Sequence, residues 1–369
     1  MLYNLGMKIL ITGAHFTPAV ATIEEFKKYK GIKIIYVGRK HTFEDEKSLS
    51  VESQVLPTMG LKFIPLTTGR LQKEFTIYTI FSLLKIPIGF IQSLYIILYE
   101  TPDVILSFGG YVAVPVVFAG WLFSIPIIIH EQTLVSGLAN KISSIFADKI
   151  AVSFKNTFNK NKTILTGNPT RTDILKISNN FSYVRENVMP IILITGGNQG
   201  SHILNLVVAA CLDELTKIAS IIHVTGDNRF KDFERLDELR KFGDKYVVKK
   251  WIDKEWGAIL SRADLVVSRA GINTLTELAY IGKPAIVIPI PYLFQDEQNK
   301  NAKYFEEHGL VRILPQSNLS GKTLIENIKW MLKNLDSLKQ KAKDAKKIII
   351  PDAGKRLALE TVLLAEQKK

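Results

Sequence analysis

The stretch Leu265–Glu277, which reads LVVSRAGINTLTE, decides the fold. Its first four residues form an apolar run typical of a buried strand, Gly271 allows a tight turn, and the residues that follow have helical spacing. A second apolar run, Ala285–Ile288, comes next and leads into the polar segment Asp296–Ala302. This order predicts parallel strands joined by a crossover helix. Ligands bind beyond the carboxyl ends of such strands, where both polar segments are expected to lie.

The same alternation extends along the whole chain and predicts an α/β fold with two doubly wound parallel sheets. The predicted strands are 8–11, 33–37, 104–107, 126–130, 149–152, 190–195, 221–225, 246–249, 265–268, 285–288 and 311–314. The pattern restarts after the polar segment Ser178–Asn187, which indicates a boundary between two domains. Two such domains are expected to face a central cleft, the usual place for a ligand.

Composition limits the class of protein. Hydrophobic residues make up 47% and charged residues 22% of the 369 residues, which is typical of a folded protein and not of a disordered one. The net charge of +13 favours polyanionic partners such as phosphorylated substrates or an anionic membrane surface. Because the lysines are scattered, we predict no nucleic-acid partner. The single cysteine, Cys211, lies in an apolar run and is expected to be a buried structural thiol in a reducing cytoplasm.

The segment Ile77–Leu98 is apolar and carries one charge, Lys85. Three interpretations remain open: a membrane span, a buried helix, or an amphipathic surface that enters the bilayer interface. For the third, the predicted membrane patch consists of Phe75, Phe81, Leu84 and Lys85.

Glycine-rich turns follow several predicted strands. Gly196–Ser201 follows a strand and opens a helix, which suits a phosphate group, although a plain tight turn has the same sequence signature. Gly109, Gly110 and Tyr111 repeat the pattern in the first half, and the turn Thr12–His15 does so more weakly.

Several polar residues at strand ends have two open interpretations. A neutral His15 can accept a proton from a hydroxyl nucleophile, or it is a structural histidine. Glu277 accepts hydrogen bonds from sugar hydroxyls, or it completes a capping box with Thr274. Arg171 reaches a diphosphate, or it is a surface charge. His130 and Glu131 follow an apolar strand and suggest the wall of a ligand site.

Other chemistries lack sequence support. The chain contains no Asp-x-Asp pair, no clustered His and Cys residues, and no Gly-x-Ser-x-Gly motif. We therefore expect no metal site, no cofactor and no serine nucleophile.

The motifs together resemble glycosyltransferase family 28, the bacterial transferases that add N-acetylglucosamine to a lipid-linked muramoyl peptide. The matching segments are 106–112, 129–132, 167–171, 196–200, 268–278 and 296–302, in that order. The resemblance implies a GT-B fold and inverting transfer from UDP-N-acetylglucosamine to undecaprenyl-diphospho-N-acetylmuramoyl-pentapeptide (lipid I), at the cytoplasmic face of the cell membrane as a peripheral protein. It also implies an acceptor and membrane-associating domain at 7–171, joined by the C-terminal helix 352–369, and a donor domain at 172–351.

The resemblance further implies roles for individual residues. His15 is the implied catalytic base. The implied donor-binding residues are Thr12, Gly13, Ala14, Thr133, Arg171, Asn198, Gln199, Ile252, Ile272, Asn273, Thr274, Leu275, Thr276, Glu277 and Gln298. The implied acceptor-side residues are Gly109, Gly110, Tyr111, His130 and Glu131.

Three other functions remain open at this point. A related glycosyltransferase would use another lipid acceptor, such as a diacylglycerol. A UDP-sugar 2-epimerase would share the two-domain shape, but it would need catalytic acids in the first domain, and none stands out in the glycine turns. A catalytically inactive protein that binds a nucleotide sugar would keep only the donor site.

Overall fold

The computed structural model describes residues 6–41, 49–69, 77–155, 157–158, 161–178, 189–197, 199–238, 240–252 and 255–367, with no side-chain description for 77–81 and 240–242. The chain divides into two compact units, Met1–Arg171 with Asp352–Lys369, and Thr172–Pro351. Each unit contains one parallel sheet.

The first unit is built on a seven-stranded sheet of order β3-β2-β1-β4-β5-β6-β7. Its strands are β1 (Lys8–Thr12), β2 (Lys33–Gly38), β3 (Lys62–Pro65), β4 (Val104–Ser107), β5 (Ile127–Glu131), β6 (Lys149–Val152) and β7 (Thr163–Leu165). Its helices are α1 (Phe16–Phe26), α2 (Val51–Thr58), α3 (Ile77–Glu100), α4 (Ala113–Leu122), α5 (Leu138–Phe146) and the C-terminal helix (Ala353–Gln367).

The C-terminal helix packs on α1 and is part of the first unit's core. Its residues Leu357 and Val362 are buried in one cluster with Ile9 of β1 and Ile23 of α1. Burial of apolar side chains supplies the main driving force for such packing. The chain end is therefore held to the first unit by core contacts.

The helix α3 lies at the surface of the first unit. Ile96 and Ile97 face the core, whereas the apolar side chains of Leu84, Ile88 and Ile91 are exposed, Leu84 by 63%. These exposed side chains contradict the interpretation of α3 as a buried helix. Among the described residues, Ser82–Glu100 is the one helical segment whose length and composition would allow a membrane crossing.

The second unit contains a six-stranded sheet of order β10-β9-β8-β11-β12-β13. Its strands are β8 (Ile191–Thr195), β9 (Ser220–Val224), β10 (Tyr246–Lys249), β11 (Leu265–Ser268), β12 (Ala285–Val287) and β13 (Val311–Ile313). Its helices are α6 (Thr172–Ser178), α7 (His202–Ala210), α8 (Leu212–Ile218), α9 (Asp232–Asp237), α10 (Trp256–Arg262), α11 (Ile272–Ile281), α12 (Glu297–Glu307), α13 (Gly321–Lys333) and α14 (Leu335–Asp344). Short 3-10 turns lie at Arg240–Lys245, Phe294–Asp296, Gln316–Asn318 and Ala345–Ile348.

The predicted α/β class with two parallel sheets is confirmed, and two strands were missed. β3 and β7 form the two edges of the first sheet, and the prediction had ended that half at Lys149–Val152. Both edge strands are short and partly exposed, and β3 ends in Pro65. Edge strands need less apolar sequence than central ones, so they give a weak signal.

The sole cysteine, Cys211, is buried between α7 and α8, as expected for a structural thiol. Its Sγ donates to the carbonyl of Val207 at 3.1 Å. Burial, with a smaller contribution from the charge of Glu214, raises the pKa of the thiol to about 11. The residue therefore stays protonated at neutral pH and lacks the thiolate that a nucleophile needs.

Candidate active site

In the first unit, the loop after β1 contacts the loop after β4. The N–H of Ala14 donates to the carbonyl of Gly109 at 3.0 Å, and the Tyr36 hydroxyl donates to the carbonyl of Gly13 at 2.9 Å. Gly110 has a φ of +82°, and a Cβ placed there would lie 2.6 Å from the Cβ of Ala14. Ala14 thus fits only because residue 110 is glycine.

Two histidines lie beside these loops. His15 immediately precedes α1, and burial together with the guanidinium of Arg39 lowers its pKa to about 4. His130 is buried at the end of β5, and its Nε2 donates to the carbonyl of Gly167 at 3.0 Å. Burial lowers the pKa of His130 to about 4, and the nearby charge of His15 contributes. Both imidazoles are therefore neutral at pH 7, and His15 is in the form that can accept a proton.

Thr12 and Tyr111 lie at the ends of the same two loops. Thr12 is buried as the last residue of β1, and its hydroxyl has no hydrogen-bond partner among the described residues. Tyr111 is half-buried just before α4. The structure therefore brings these predicted residues of the first unit together at the carboxyl ends of β1, β4 and β5.

The carboxylate of Glu131 accepts hydrogen bonds that hold the loop after β5 in its conformation. Its Oε1 accepts from the Thr133 N–H at 3.2 Å and lies 3.0 Å from the Thr133 hydroxyl. Its Oε2 accepts from the Gly137 N–H and from Asn140 Nδ2, each at 2.9 Å. Burial raises the pKa of Glu131, and these donors oppose that shift. Glu131 and Thr133 are thus hydrogen-bonded to each other, and their ligand roles stay predictions.

Asn140 belongs to this cluster and was missed by the sequence prediction. Its Nδ2 also donates to the carbonyl of His130 at 3.1 Å, and its side chain lies against Gly109. Asn140 therefore joins the loop after β4 to the loop after β5. The sequence shows only a polar residue, Asn140, in the segment that forms α5. Its hydrogen-bond partners, His130 and Glu131, lie in another element, so no local pattern indicates the contact.

In the second unit, the glycine loop after β8 packs against the loop after β9. Its turn is closed by a hydrogen bond from the Gly200 N–H to the carbonyl of Gly197 at 2.9 Å. A Cβ at Gly200 would lie 1.9 Å from the carbonyl oxygen of Thr225, so no other residue fits there. Gln199 is exposed on this loop, and Asn198 lies outside the described residues. The loop leads directly into α7, whose N-terminus favours an anion.

Arg269 joins the segments that follow β8, β11 and β12 in the second sheet. It follows β11, its Nε donates to Ser201 Oγ at 3.0 Å, and its Nη1 donates to the carbonyl of Ile288 at 3.1 Å. Burial lowers its pKa, so this position is costly for a cation. The residue list predicted from the sequence omitted Arg269, although a charge directly after an apolar strand was a visible signal.

The helix α11 presents its first turn at the carboxyl end of β11. Gly271 is the N-cap, and Ile272, Asn273 and Thr274 form the first turn, where N–H groups suit an oxygen ligand. Leu275 differs, because its side chain is in the core and its N–H donates to the carbonyl of Gly271 at 3.0 Å. Thr276 is also buried, and its hydroxyl donates to the carbonyl of Ile272 at 2.8 Å.

Glu277 lies in the second turn of α11, which makes the capping-box interpretation wrong. A capping box would need Thr274 as the N-cap, but α11 begins at Ile272 after Gly271. Glu277 is only 5% exposed, and its Oε2 accepts from Trp256 Nε1 at 2.8 Å. The sequence prediction missed Trp256, because nothing in the local pattern of α10 indicates this contact.

Three predicted residues remain, two in the second unit and one in the first. Ile252 is buried in the loop after β10. Gln298 lies in the first turn of α12, and its Oε1 accepts from the N–H of Ile290 at 3.1 Å, which holds the loop after β12. Arg171 belongs to the first unit and is half-buried immediately before α6. Among the described residues, no group of three or more His, Cys, Asp or Glu side chains is arranged to hold a metal ion.

Comparison with known families matches both units. Residues 12–152 match the model of the glycosyltransferase family 28 N-terminal domain, and residues 191–357 match that of the family 28 C-terminal domain. The chain belongs to glycosyltransferase family 28. The family membership predicted from the ordered motifs is thereby confirmed, and the protein is a glycosyltransferase.

A family 28 relative from Bacillus cytotoxicus is 31% identical over 367 residues, covering 95% of this chain and 97% of the relative. It is named UDP-N-acetylglucosamine–N-acetylmuramyl-(pentapeptide) pyrophosphoryl-undecaprenol N-acetylglucosamine transferase. The crystal structure of Acinetobacter baumannii MurG has a TM-score of 0.71 at 23% identity, covering 98% of this chain and all of that chain (100%). The predicted GT-B fold is confirmed by this likeness.

A UDP-GlcNAc 2-epimerase from Neisseria meningitidis, solved with bound UDP-GlcNAc, has a TM-score of 0.64 at 16% identity. The match covers 97% of this chain and 100% of the epimerase. At that identity the likeness concerns the fold alone, because one fold supports many chemistries.

Proposed function

We propose that the protein transfers N-acetylglucosamine from UDP-N-acetylglucosamine to lipid I with inversion, which gives lipid II for peptidoglycan synthesis. The observation that carries this proposal is the similarity to the Bacillus relative, which spans 95% of this chain at 31% identity. Both units, with the motifs in each, take part in that match. The epimerase likeness concerns the fold alone and supports no activity.

The second unit binds the donor in this proposal. The loop at Ile252 contacts the uracil through its backbone, and Glu277 accepts hydrogen bonds from the ribose hydroxyls. Residues 272–276 and Gln298 lie beside the nucleotide and the sugar. Arg171 and Asn198 bind the diphosphate, and the N-terminus of α7 next to Gln199 favours its charge.

The first unit binds the acceptor and supplies the base. The loop at Gly109–Tyr111, with His130 and Glu131 behind it, forms the acceptor side, whereas Thr12, Gly13, Ala14 and Thr133 contact the donor. A hydroxyl of the muramoyl group attacks the anomeric carbon while the bond from that carbon to the UDP oxygen breaks. His15 takes the hydroxyl proton, which its neutral state at pH 7 permits.

The leaving diphosphate gains negative charge as the bond breaks. Arg171 stabilises that charge by bidentate hydrogen bonds, and the N–H groups that begin α7 add donors fixed in place before the reaction. No cofactor is assigned to this step, because His15 accepts the proton while Arg171 and the N–H groups that begin α7 donate to the leaving diphosphate.

The lipid acceptor places the protein at the cytoplasmic face of the cell membrane, as a peripheral protein. The exposed apolar face of α3, with Leu84 and Lys85, is the proposed membrane patch, and the net charge of +13 favours anionic lipids. Phe75 lies outside the described residues, and so does the side chain of Phe81. No nucleic acid is proposed as a partner.

One assay tests the activity against its rivals. The protein is incubated with radiolabelled UDP-N-acetylglucosamine and, in parallel, a lipid I analogue, diacylglycerol, or no acceptor. We expect label on the lipid I analogue and no free N-acetylmannosamine nucleotide. Label on diacylglycerol instead would assign another lipid acceptor, and epimerised nucleotide without an acceptor would assign an epimerase.

A further inference from the structure

We infer that Trp256 is a positioning residue for the donor ribose: its indole N–H holds one carboxylate oxygen of Glu277 and so fixes the orientation in which that carboxylate meets the ribose hydroxyls. The inference rests on the proposed donor site. Trp256 itself touches neither the sugar nor the phosphates in this account, and its effect on binding acts through Glu277.

The contact is short, buried and between chemically matched groups. The distance from Trp256 Nε1 to Glu277 Oε2 is 2.8 Å, and the two side chains are 9% and 5% exposed. An indole N–H can only donate, and an ionised carboxylate can only accept. Hydrogen bonds to a charged acceptor are stronger than those between neutral groups, and low exposure strengthens them further.

The backbone that carries Trp256 is fixed by the neighbouring helix α6. The next residue, Gly257, donates its N–H to Asp173 Oδ2 at 3.1 Å. A Cβ at Gly257 would lie 2.7 Å from Ile177 Cδ1, so α6 packs directly on the start of α10. The indole therefore starts from a backbone that α6 holds in place, and it can act as a fixed donor.

The bond to the indole does not exclude a bond from the same carboxylate to the ribose, because two carboxylate oxygens together offer about four lone-pair positions. Holding Oε2 stops rotation of the carboxylate plane, so less orientational freedom is lost when a hydroxyl binds. Preorganisation of this kind raises affinity without adding a contact to the ligand.

The position of Trp256 in the chain also links recognition of the uracil base to recognition of the ribose. Ile252, the proposed uracil contact, lies four residues before Trp256 and is buried at 7% exposure. One short segment thus bears both the proposed base contact and the group that fixes the ribose acceptor. A site that hydrogen-bonds hydroxyls discriminates strongly against ligands that lack them. The positioning role therefore predicts a selectivity effect as well as an affinity effect.

The test is calorimetric titration of two probes, UDP and 2′,3′-dideoxy-UDP, into the full chain and its Trp256→Phe variant. We expect the variant to bind UDP about tenfold more weakly, the effect of losing a hydrogen bond to a charged group. Affinity for the dideoxy probe should change less than about twofold, because that probe has no ribose hydroxyls to place. Trp330→Phe is the matched control, since Trp330 is 43% exposed on α13, and it should bind both probes normally.

A second pair of variants separates positioning from packing. In a Glu277→Ala background, Trp256→Phe should cause no further loss of UDP affinity. Equal weakening of both probes, or a loss that persists without Glu277, would assign Trp256 a packing role and overturn the inference. Unchanged UDP binding in Trp256→Phe, or no UDP binding by the unmodified chain, would overturn it as well.

A measurement on the unmodified chain covers the case in which Trp256→Phe does not fold. The Trp256 indole N–H resonance is assigned by substituting Trp121, Trp251 and Trp330 in turn with phenylalanine. It should shift when UDP binds and shift much less with the dideoxy probe, and equal shifts would contradict the positioning role. Normal UDP binding without sugar transfer would defeat the proposed function and leave this inference standing.

Discussion

The loops at the carboxyl ends of the first sheet and those of the second sheet use different chemistry. The first set contains neutral His15 and His130 beside Glu131, whose carboxylate is bonded within its own loop. The second set contains the glycine loop before α7, the first turn of α11, the buried cation Arg269, and a carboxylate held by an indole.

This difference suggests how the proposed reaction is divided between the units. Neutral imidazoles suit proton transfer, whereas helix N-termini and fixed hydrogen-bond donors suit a diphosphate and its sugar. Substitutions in the loops of the first sheet should therefore reduce turnover, and substitutions in the loops of the second sheet should reduce donor affinity.

Replacing His15 should have the largest effect, and that effect should be limited to turnover. We expect His15→Ala to lower kcat by about 10²- to 10⁴-fold, the usual contribution of a general base. The affinity for UDP, measured by calorimetry, should stay within twofold. His308→Ala, at an exposed histidine after α12, is the control and should be fully active. A His15→Ala variant that keeps near-normal turnover would remove His15 as the base.

Replacing Glu277, the proposed acceptor of hydrogen bonds from the ribose, should have the next largest effect. That effect should be limited to donor binding. We expect Glu277→Ala to weaken UDP binding by about 30- to 150-fold, which corresponds to about 2 to 3 kcal/mol. At saturating donor, kcat should fall much less. If kcat collapses while UDP affinity persists, the division between the two sets of loops is wrong.

Changing the exposed face of α3 should affect only membrane association. Replacing Leu84, Ile88 and Ile91 with glutamine should reduce binding to vesicles of phosphatidylglycerol and phosphatidylcholine by about tenfold or more, because apolar surface drives interfacial binding. Glutamine at Leu359 and Leu363, also exposed on the C-terminal helix, is the control. Vesicle binding that is unchanged in the triple variant would defeat the proposed membrane patch.

The smallest effect concerns pH. Because burial lowers the pKa of His15 to about 4, the base is already neutral throughout the range from about pH 6 to 8. As pH falls through 4 the imidazole becomes protonated and can no longer accept a proton, so kcat/KM should decrease only near that value. Measured profiles of kcat/KM should therefore be flat near neutrality. A decrease centred near pH 6.5 would indicate an ordinary, solvated imidazole.

The central strands were predictable because burial on both faces demands continuous apolar sequence. Val104–Ser107, Lys149–Val152 and Leu265–Ser268 have the predicted bounds. The edge strand Thr163–Leu165 escaped prediction, since its partly exposed residues need no such pattern.

Site residues were predictable where the backbone conformation requires a particular residue type. They were not predictable where a contact between residues distant in sequence determines the role of a side chain. The loop Gly196–Ser201 stood out by its glycines, and the close approach of Gly200 to Thr225 shows why glycine is needed there. Glu277 was assigned a possible cap because the start of α11 was ambiguous by a few residues. Its bond to Trp256 joins two helices, and no local pattern contains it.

The stereochemistry of the product tests the central claim most directly, because inversion requires a base and a leaving-group site that act on opposite faces of the sugar. The measurement is the proton NMR coupling constant between H1 and H2 of the transferred sugar, after transfer from α-linked UDP-N-acetylglucosamine to a lipid I analogue. The account predicts a β-linked disaccharide and release of UDP. An α-linked product, or no product from a chain that binds UDP, would contradict it.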